Sequence, residues 1–221
     1  MSDKYEVIFE PELFSPDLSD DLLIPFGAAL RGGTLTYTYP SEFEPLAKLA
    51  AGLGDPFDES VRDGIIGIFD PRGRDKGFRT EITSTIVFCV PAEYEPDISL
   101  IRSDTFLVDR KMLKKLKKDI EDEPEPPFFG TVRHGRLVSA AYVNSYPADG
   151  GLEYDIGVET FFEYENLGCA TSNVISLCRD AAEKNKFLTY IAETDDCASI
   201  RVAEKAGLMP LAKEMRVIWF R

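Results

Sequence analysis

Residues 165 to 170 read Glu-Asn-Leu-Gly-Cys-Ala. They join a stretch that alternates like a β-strand to one with the apolar spacing of an amphipathic helix. Glycine at 168 lets a backbone approach a ligand with no Cβ in the way, and alanine at 170 keeps the next position small. A helix that begins there directs unpaired N–H groups and the positive end of its dipole outward. Such a joint suits an anion such as a pyrophosphate. A strand-to-helix turn also takes a glycine for steric reasons alone. The stretch has neither the GK[ST] of a phosphate-binding P-loop nor the GxGxxG of a dinucleotide fold.

Other reactive residue types are few. Cys89, Cys169, Cys178 and Cys197 form no CxxC pair, and His134 is the single histidine, so no zinc-site spacing exists and no metal is expected. Cys169, at a helix start, is placed to have a lowered pKa, but no histidine lies near it in sequence to complete a nucleophile. His134 falls in a tight turn with Gly135, and a hairpin tip is a poor place for a reaction centre. Arg72, Arg74, Lys76 and Arg79 allow a phosphate cradle, although a solvated loop explains them better on residue types alone. The lysines of 114 to 118 fit the outer face of an amphipathic helix better than a nucleic-acid patch, because an acidic, proline-rich tract follows.

The 221 residues, 44% hydrophobic, suffice for one large domain or two small ones. A net charge of -14 opposes non-specific binding to nucleic acid or an anionic membrane. Residues 166 to 221 hold eight Lys/Arg against seven Asp/Glu, so the other 165 carry -15. The C-terminal quarter is therefore the part suited to an anionic ligand. No apolar run approaches the roughly 18 residues of a membrane span, and the N-terminus lacks the pattern of a signal peptide. A cytoplasmic protein is expected.

The elements that must position the joint follow from periodicity. A strand is predicted in KYEVIFE, a helix over 41–54, an irregular stretch over 55–79 and a buried strand over 81–90. A short strand is expected near 98–102, then a helix capped by Asp109 with Met112, Leu113, Leu116 and Ile120 inward. Residues 119–127 read as a linker. Beyond it come a hairpin turning at His134 and Gly135, a strand over 152–160, the helix from Leu167, a strand over 187–193, a helix over 199–208 and a strand over 211–220. This is an α/β arrangement, with parallel pairing expected where a helix intervenes.

Two spaced motifs carry a resemblance. Residues 165–170 resemble the acetyl-coenzyme A loop of the GNAT (GCN5-related) N-acetyltransferase superfamily, patterned [QR]xxGx[GA] after a strand. About thirty residues on, DCASIRVAEKAGL resembles that superfamily's second signature, with Asp196 and Ser199 in its two polar places. The N-terminal residues are similar in placement to the extension of the larger members related to zwittermicin A resistance enzymes. The resemblance implies a mixed, mostly antiparallel central sheet flanked by helices over residues 97–221, with residues 1–96 as an α/β extension. It implies acetyl-CoA as acyl donor and direct attack by a primary amine of a small molecule. It places the donor on Val158, Thr160, Glu165, Asn166, Leu167, Gly168, Cys169, Ala170, Thr171, Asp196 and Ser199. Tyr154, Glu159 and Ser199 become candidates for proton transfer, with core packing, a solvated strand end and a helix cap as their ordinary explanations. A homodimer is compatible with it.

Three residues depart from the pattern. Glu165 stands where Arg or Gln is usual, and a carboxylate beside a pyrophosphate costs about 1 kcal/mol per charge pair at about 4 Å even in water. Asp196 replaces an asparagine, exchanging a donor for an acceptor. Ala203 occupies the place of a general-acid tyrosine. A non-catalytic acyl-CoA-binding module is the alternative, and a structural α+β protein with coincidental motifs a third.

Overall fold

The computed structural model describes residues 5–11, 22–116, 125–144 and 154–221. Ile120, most of the expected linker and the start of the strand expected from 152 lie outside them. The chain divides into two compact units, one of residues up to Ile86 with Leu211–Arg221, the other Val87–Pro210.

The first unit is built on strands β1 (Glu6–Glu10), β2 (Leu22–Arg31), β3 (Thr34–Thr38), β4 (Arg79–Cys89) and β10 (Met209–Phe220), in the order β1-β3-β2-β10-β4. β4 and β10 each run across the boundary between units. Helices α1 (Glu44–Gly52) and α2 (Glu59–Asp75) belong here too. β2 and β3 form a hairpin whose turn is Gly32-Gly33, with φ of 58° and 85°. Both residues need the left-handed region, which a glycine pair supplies without a Cβ clash.

Helix α2 corrects the irregular stretch expected over 55–79. Asp58 caps it, its carboxylate accepting from the Ser60 N–H at 2.9 Å. Ile65, Phe69 and Gly73, four residues apart, are buried, and that inner stripe outweighs the glycines and Pro71 that argue against a helix. Arg74 pairs with Asp70, and the Lys76 ammonium sits over the Phe43 and Trp219 rings at 5.4 and 5.9 Å.

The second unit holds β5 (Thr105–Val108), α3 (Arg110–Leu116), β6 (Glu125–Arg133), β7 (Arg136–Asn144), β8 (Tyr154–Thr160), α4 (Cys169–Glu183), β9 (Leu188–Glu193) and α5 (Cys197–Lys205). Its strand order is β9-β8-β7-β6-β5. The fold class is α/β with a mixed, mostly antiparallel sheet flanked by helices, as expected. Two expectations need correction. Residues 98–100 form a 3-10 turn, because Asp97 accepts from Ser99 N–H at 2.9 Å; the strand follows at Thr105. β5 and β6 pair antiparallel although α3 lies between them, so an intervening helix here does not mean parallel pairing; β8 and β9, either side of α4, are parallel. Asp109 caps α3 as predicted, accepting from Met112 N–H at 2.8 Å, with Leu113 buried against Phe128, Ala140 and Tyr142. Among the described residues no helix is long and apolar enough to cross a membrane.

Candidate functional site

β8 runs antiparallel to β7 from Asn144↔Asp155 to Ser139↔Thr160. Its parallel pairing with β9 covers only Tyr154↔Leu188 and Asp155↔Thr189. The two strands part beyond that point. The side of β8 facing the gap follows from one bond. Phe161 N–H donates to Val138 O at 2.9 Å, so by alternation the N–H and C=O of Glu159 and Gly157 turn toward β7, and those of Val158 and Thr160 turn into the gap. The Val158 amide is thus placed to hold a carbonyl oxygen between the strands.

The gap leads to the joint. A 3-10 turn, Phe162–Tyr164, carries the chain to residues 165–168, all exposed, and Gly168 stands at the N-terminus of α4 with φ 76°. A Cβ at Gly168 would meet no atom within 4 Å, so protein packing does not require glycine here. Its left-handed backbone does, and it leaves open space ahead of the helix. No side chain caps α4 and its first turn has no acidic residue. The helical bonds begin with Ser172 N–H to Gly168 O at 3.1 Å, so the N–H groups of Cys169, Ala170 and Thr171 precede them. Asn166 also has positive φ, 57°.

Beneath this start lies a hydrogen-bonded polar chain. Ser172 Oγ bonds Thr105 Oγ1 at 2.7 Å, and Thr105 and Thr131 hydroxyls lie 3.3 Å apart. Asn173 accepts from Thr131 Oγ1 at 3.1 Å and donates to Ser139 Oγ at 2.9 Å. Ser139 in turn bonds Thr160 Oγ1 at 2.8 Å. Thr131, Ser139, Ser172 and Asn173 are fully buried, and the chain ties α4 to β5, β6, β7 and β8.

The predicted site residues distribute as follows. Val158, Thr160 and 165–171 line the gap and joint. Leu167 is exposed, so the apolar face expected from there begins later, with Val174, Leu177, Cys178 and Ala181 buried along it; Cys169 is buried as well. Asp196 caps α5, its Oδ1 accepting from Ala198 and Ser199 N–H at 3.1 and 3.0 Å. These bonds, with one from the Ser199 side chain foremost, hold its carboxyl below the usual range. A cap needs only an acceptor, so aspartate serves there as well as asparagine. Ser199 neighbours Tyr190, whose phenol is pushed up mainly by burial. Tyr190 is the first β9 residue past the last registered pair. Tyr190 shares the sheet face of Val158 and Thr160, whereas Glu159 lies on the other face, so the structure separates Glu159 from Ser199. Tyr154 opens β8. Ala203 is fully buried, and His134 occupies the β6–β7 turn.

Sequence reasoning missed Tyr190 and a charged cluster at the joint. Arg102 donates from Nη1 to Leu167 O at 2.9 Å and from Nε and Nη2 to the Asp104 carboxylate at 2.8 and 3.1 Å. Arg133 Nε reaches the same carboxylate at 3.1 Å. The Arg102 bond, then burial and the Arg133 bond acting in opposite senses, leave Asp104 below its usual range. Sixty-five residues separate Arg102 from Leu167, and no local pattern announces the pairing. The buried polar chain did have a signal: Thr171, Ser172 and Asn173 are polar at the start of a helix whose later turns are apolar inside.

No family model and no curated protein matches the chain. Solved structures similar to it include an acetyltransferase of the GNAT family from Colwellia psychrerythraea (11% identity, 70% of each chain, TM-score 0.47). A GCN5-related N-acetyltransferase-like protein from Streptococcus suis matches at 17% identity over 73% of this chain and 68% of that one (TM-score 0.48). A GCN5-related N-acetyltransferase from Kribbella flavida matches at 13% over 76% and 78% (TM-score 0.45). The zwittermicin A resistance-like branch gains no support from them. Several of the solved structures similar to this chain are GNAT-family acetyltransferases, and one is a conserved protein of unknown function from Staphylococcus epidermidis.

Proposed function

We propose that the second unit binds acetyl-CoA and that the protein transfers its acetyl group to a primary amine of a small molecule. The observation that carries this reading is the parting of β8 from β9 after Asp155↔Thr189, which turns the Val158 amide into a gap leading to an uncapped helix start. Val158 N–H holds the thioester carbonyl and stabilises the charge that develops on its oxygen. The N–H groups of Cys169, Ala170 and Thr171 hold the pyrophosphate. The amine nitrogen bonds to the carbonyl carbon, the carbon–sulfur bond breaks, and a proton leaves the nitrogen while one reaches the thiolate. Glu159 is the base we assign. Ser199 with Tyr190, a phenol kept protonated by burial, is the donor. The acidic balance of the rest of the chain favours a cationic acceptor.

Ala203 at the place of the usual general acid favours a second reading, an acyl-CoA-binding module without turnover. Thiol release from acetyl-CoA across a panel of polyamines, aminoglycosides and amino acids separates the two. Amine-dependent release, lowered at least tenfold in Ser199→Ala, is the expected result. Binding without release under any amine would leave the binding module standing.

A further inference from the structure

Arg102 lies between the 3-10 turn at Ile98–Leu100 and β5, and it is fixed to the joint twice. Its backbone N–H donates to Ser172 Oγ at 2.9 Å, and its guanidinium donates to Leu167 O at 2.9 Å. Asp104 holds the guanidinium in a two-point grip and takes Arg133 as well, so one carboxylate faces two guanidiniums and the cluster keeps a net positive charge. That charge sits against the start of α4, where the helix dipole already disfavours a cation and no acidic side chain of the first turn offsets it. Glu163 and Glu165 stand in the preceding turn, both exposed, and neither pairs with Arg102 among the described contacts. A guanidinium has five N–H donors, of which Leu167 O takes one and Asp104 two, leaving two among the described residues. With its side chain 30% exposed, Arg102 can offer them to an incoming ligand.

We propose that Arg102 is a phosphate-binding residue of the coenzyme site, its remaining N–H groups pairing with a phosphate of acyl-CoA; the inference rests on the function proposed above. Held by Asp104 and Leu167, the fork meets the ligand already oriented, which lowers the ordering cost of binding. It also supplies from a distant segment the cation that Glu165 denies the loop. The pyrophosphate and the 3′-phosphate share the chemistry.

Titration calorimetry of the full chain with acetyl-CoA, acetyl-3′-dephospho-CoA and acetyl-pantetheine tests it. Arg102→Ala is expected to weaken acetyl-CoA about tenfold and to leave acetyl-pantetheine, which has neither phosphate, unchanged. Arg102→Lys, which keeps the charge but loses the fork, falls between, and decides the matter if the alanine variant does not fold. An equal loss with the dephospho analogue assigns the pyrophosphate; a loss confined to intact acetyl-CoA assigns the 3′-phosphate. Unchanged acetyl-CoA affinity, or equal weakening of acetyl-pantetheine, overturns the proposal. Absence of acetyl-CoA binding by the wild-type chain would instead remove the functional reading, and this inference with it.

Discussion

The interior around Trp219 is made of rings. Phe26 stacks on Tyr37 and Phe69 with centroids 5.6 and 5.3 Å apart, and Phe43 meets Trp219 edge-on at 5.2 Å. The interior beneath the start of α4 is crossed by five hydroxyls and one amide joined in a chain. Rings fill space and tolerate small shifts, so the first region can serve as scaffold. Buried polar groups must each find a partner at a fixed distance, so the second region sets the relative placement of α4 and four strands. Those elements carry the gap and the joint. On the function proposed above, the polar kind of interior lies where position would matter for a ligand.

The comparison predicts different responses to substitution. Trp219→Ala removes the largest fully buried side chain among the described residues and opens a cavity, and should cost about 3–5 kcal/mol in denaturant unfolding. A loss under about 1 kcal/mol would mean the ring core is loosely packed. Asn173→Leu conserves volume but takes partners from Thr131 and Ser139, and should cost about 1–3 kcal/mol. It should also weaken acetyl-CoA, because α4 loses its tie to β6 and β7. If that variant kept full affinity, the polar chain would be a matter of stability alone.

Where an element owes its form to local pattern, the sequence declares it. The β6–β7 hairpin has alternation and the His134-Gly135 turn; α5 has Asp196 as cap and Gly207 past its end. The β2–β3 hairpin has Gly32-Gly33 at its turn and alternation in β3, where Leu35 and Tyr37 are buried between threonines. Helix α2 was not readable, because Ile65 and Phe69 find their burial in a cluster shared with α1 and distant strands while Gly64, Gly67 and Pro71 speak for a loop. The site divides the same way. Gly168 and the motif around it are contiguous and were legible. The gap depends on where two strands stop pairing, and Arg102 reaches Leu167 only in the folded chain.

The central claim is that the gap between β8 and β9 and the joint at Gly168 form one acyl-CoA site. Its most direct test is the thermal unfolding of the wild-type chain and of Gly168→Asp, each with and without acetyl-CoA. At about 100 times its dissociation constant the ligand should stabilise the wild-type chain by roughly 2.7 kcal/mol. The variant, which puts a carboxylate in the open space before α4, should melt cooperatively with no such shift. A full shift in the variant, or none in the wild-type chain, would contradict the account.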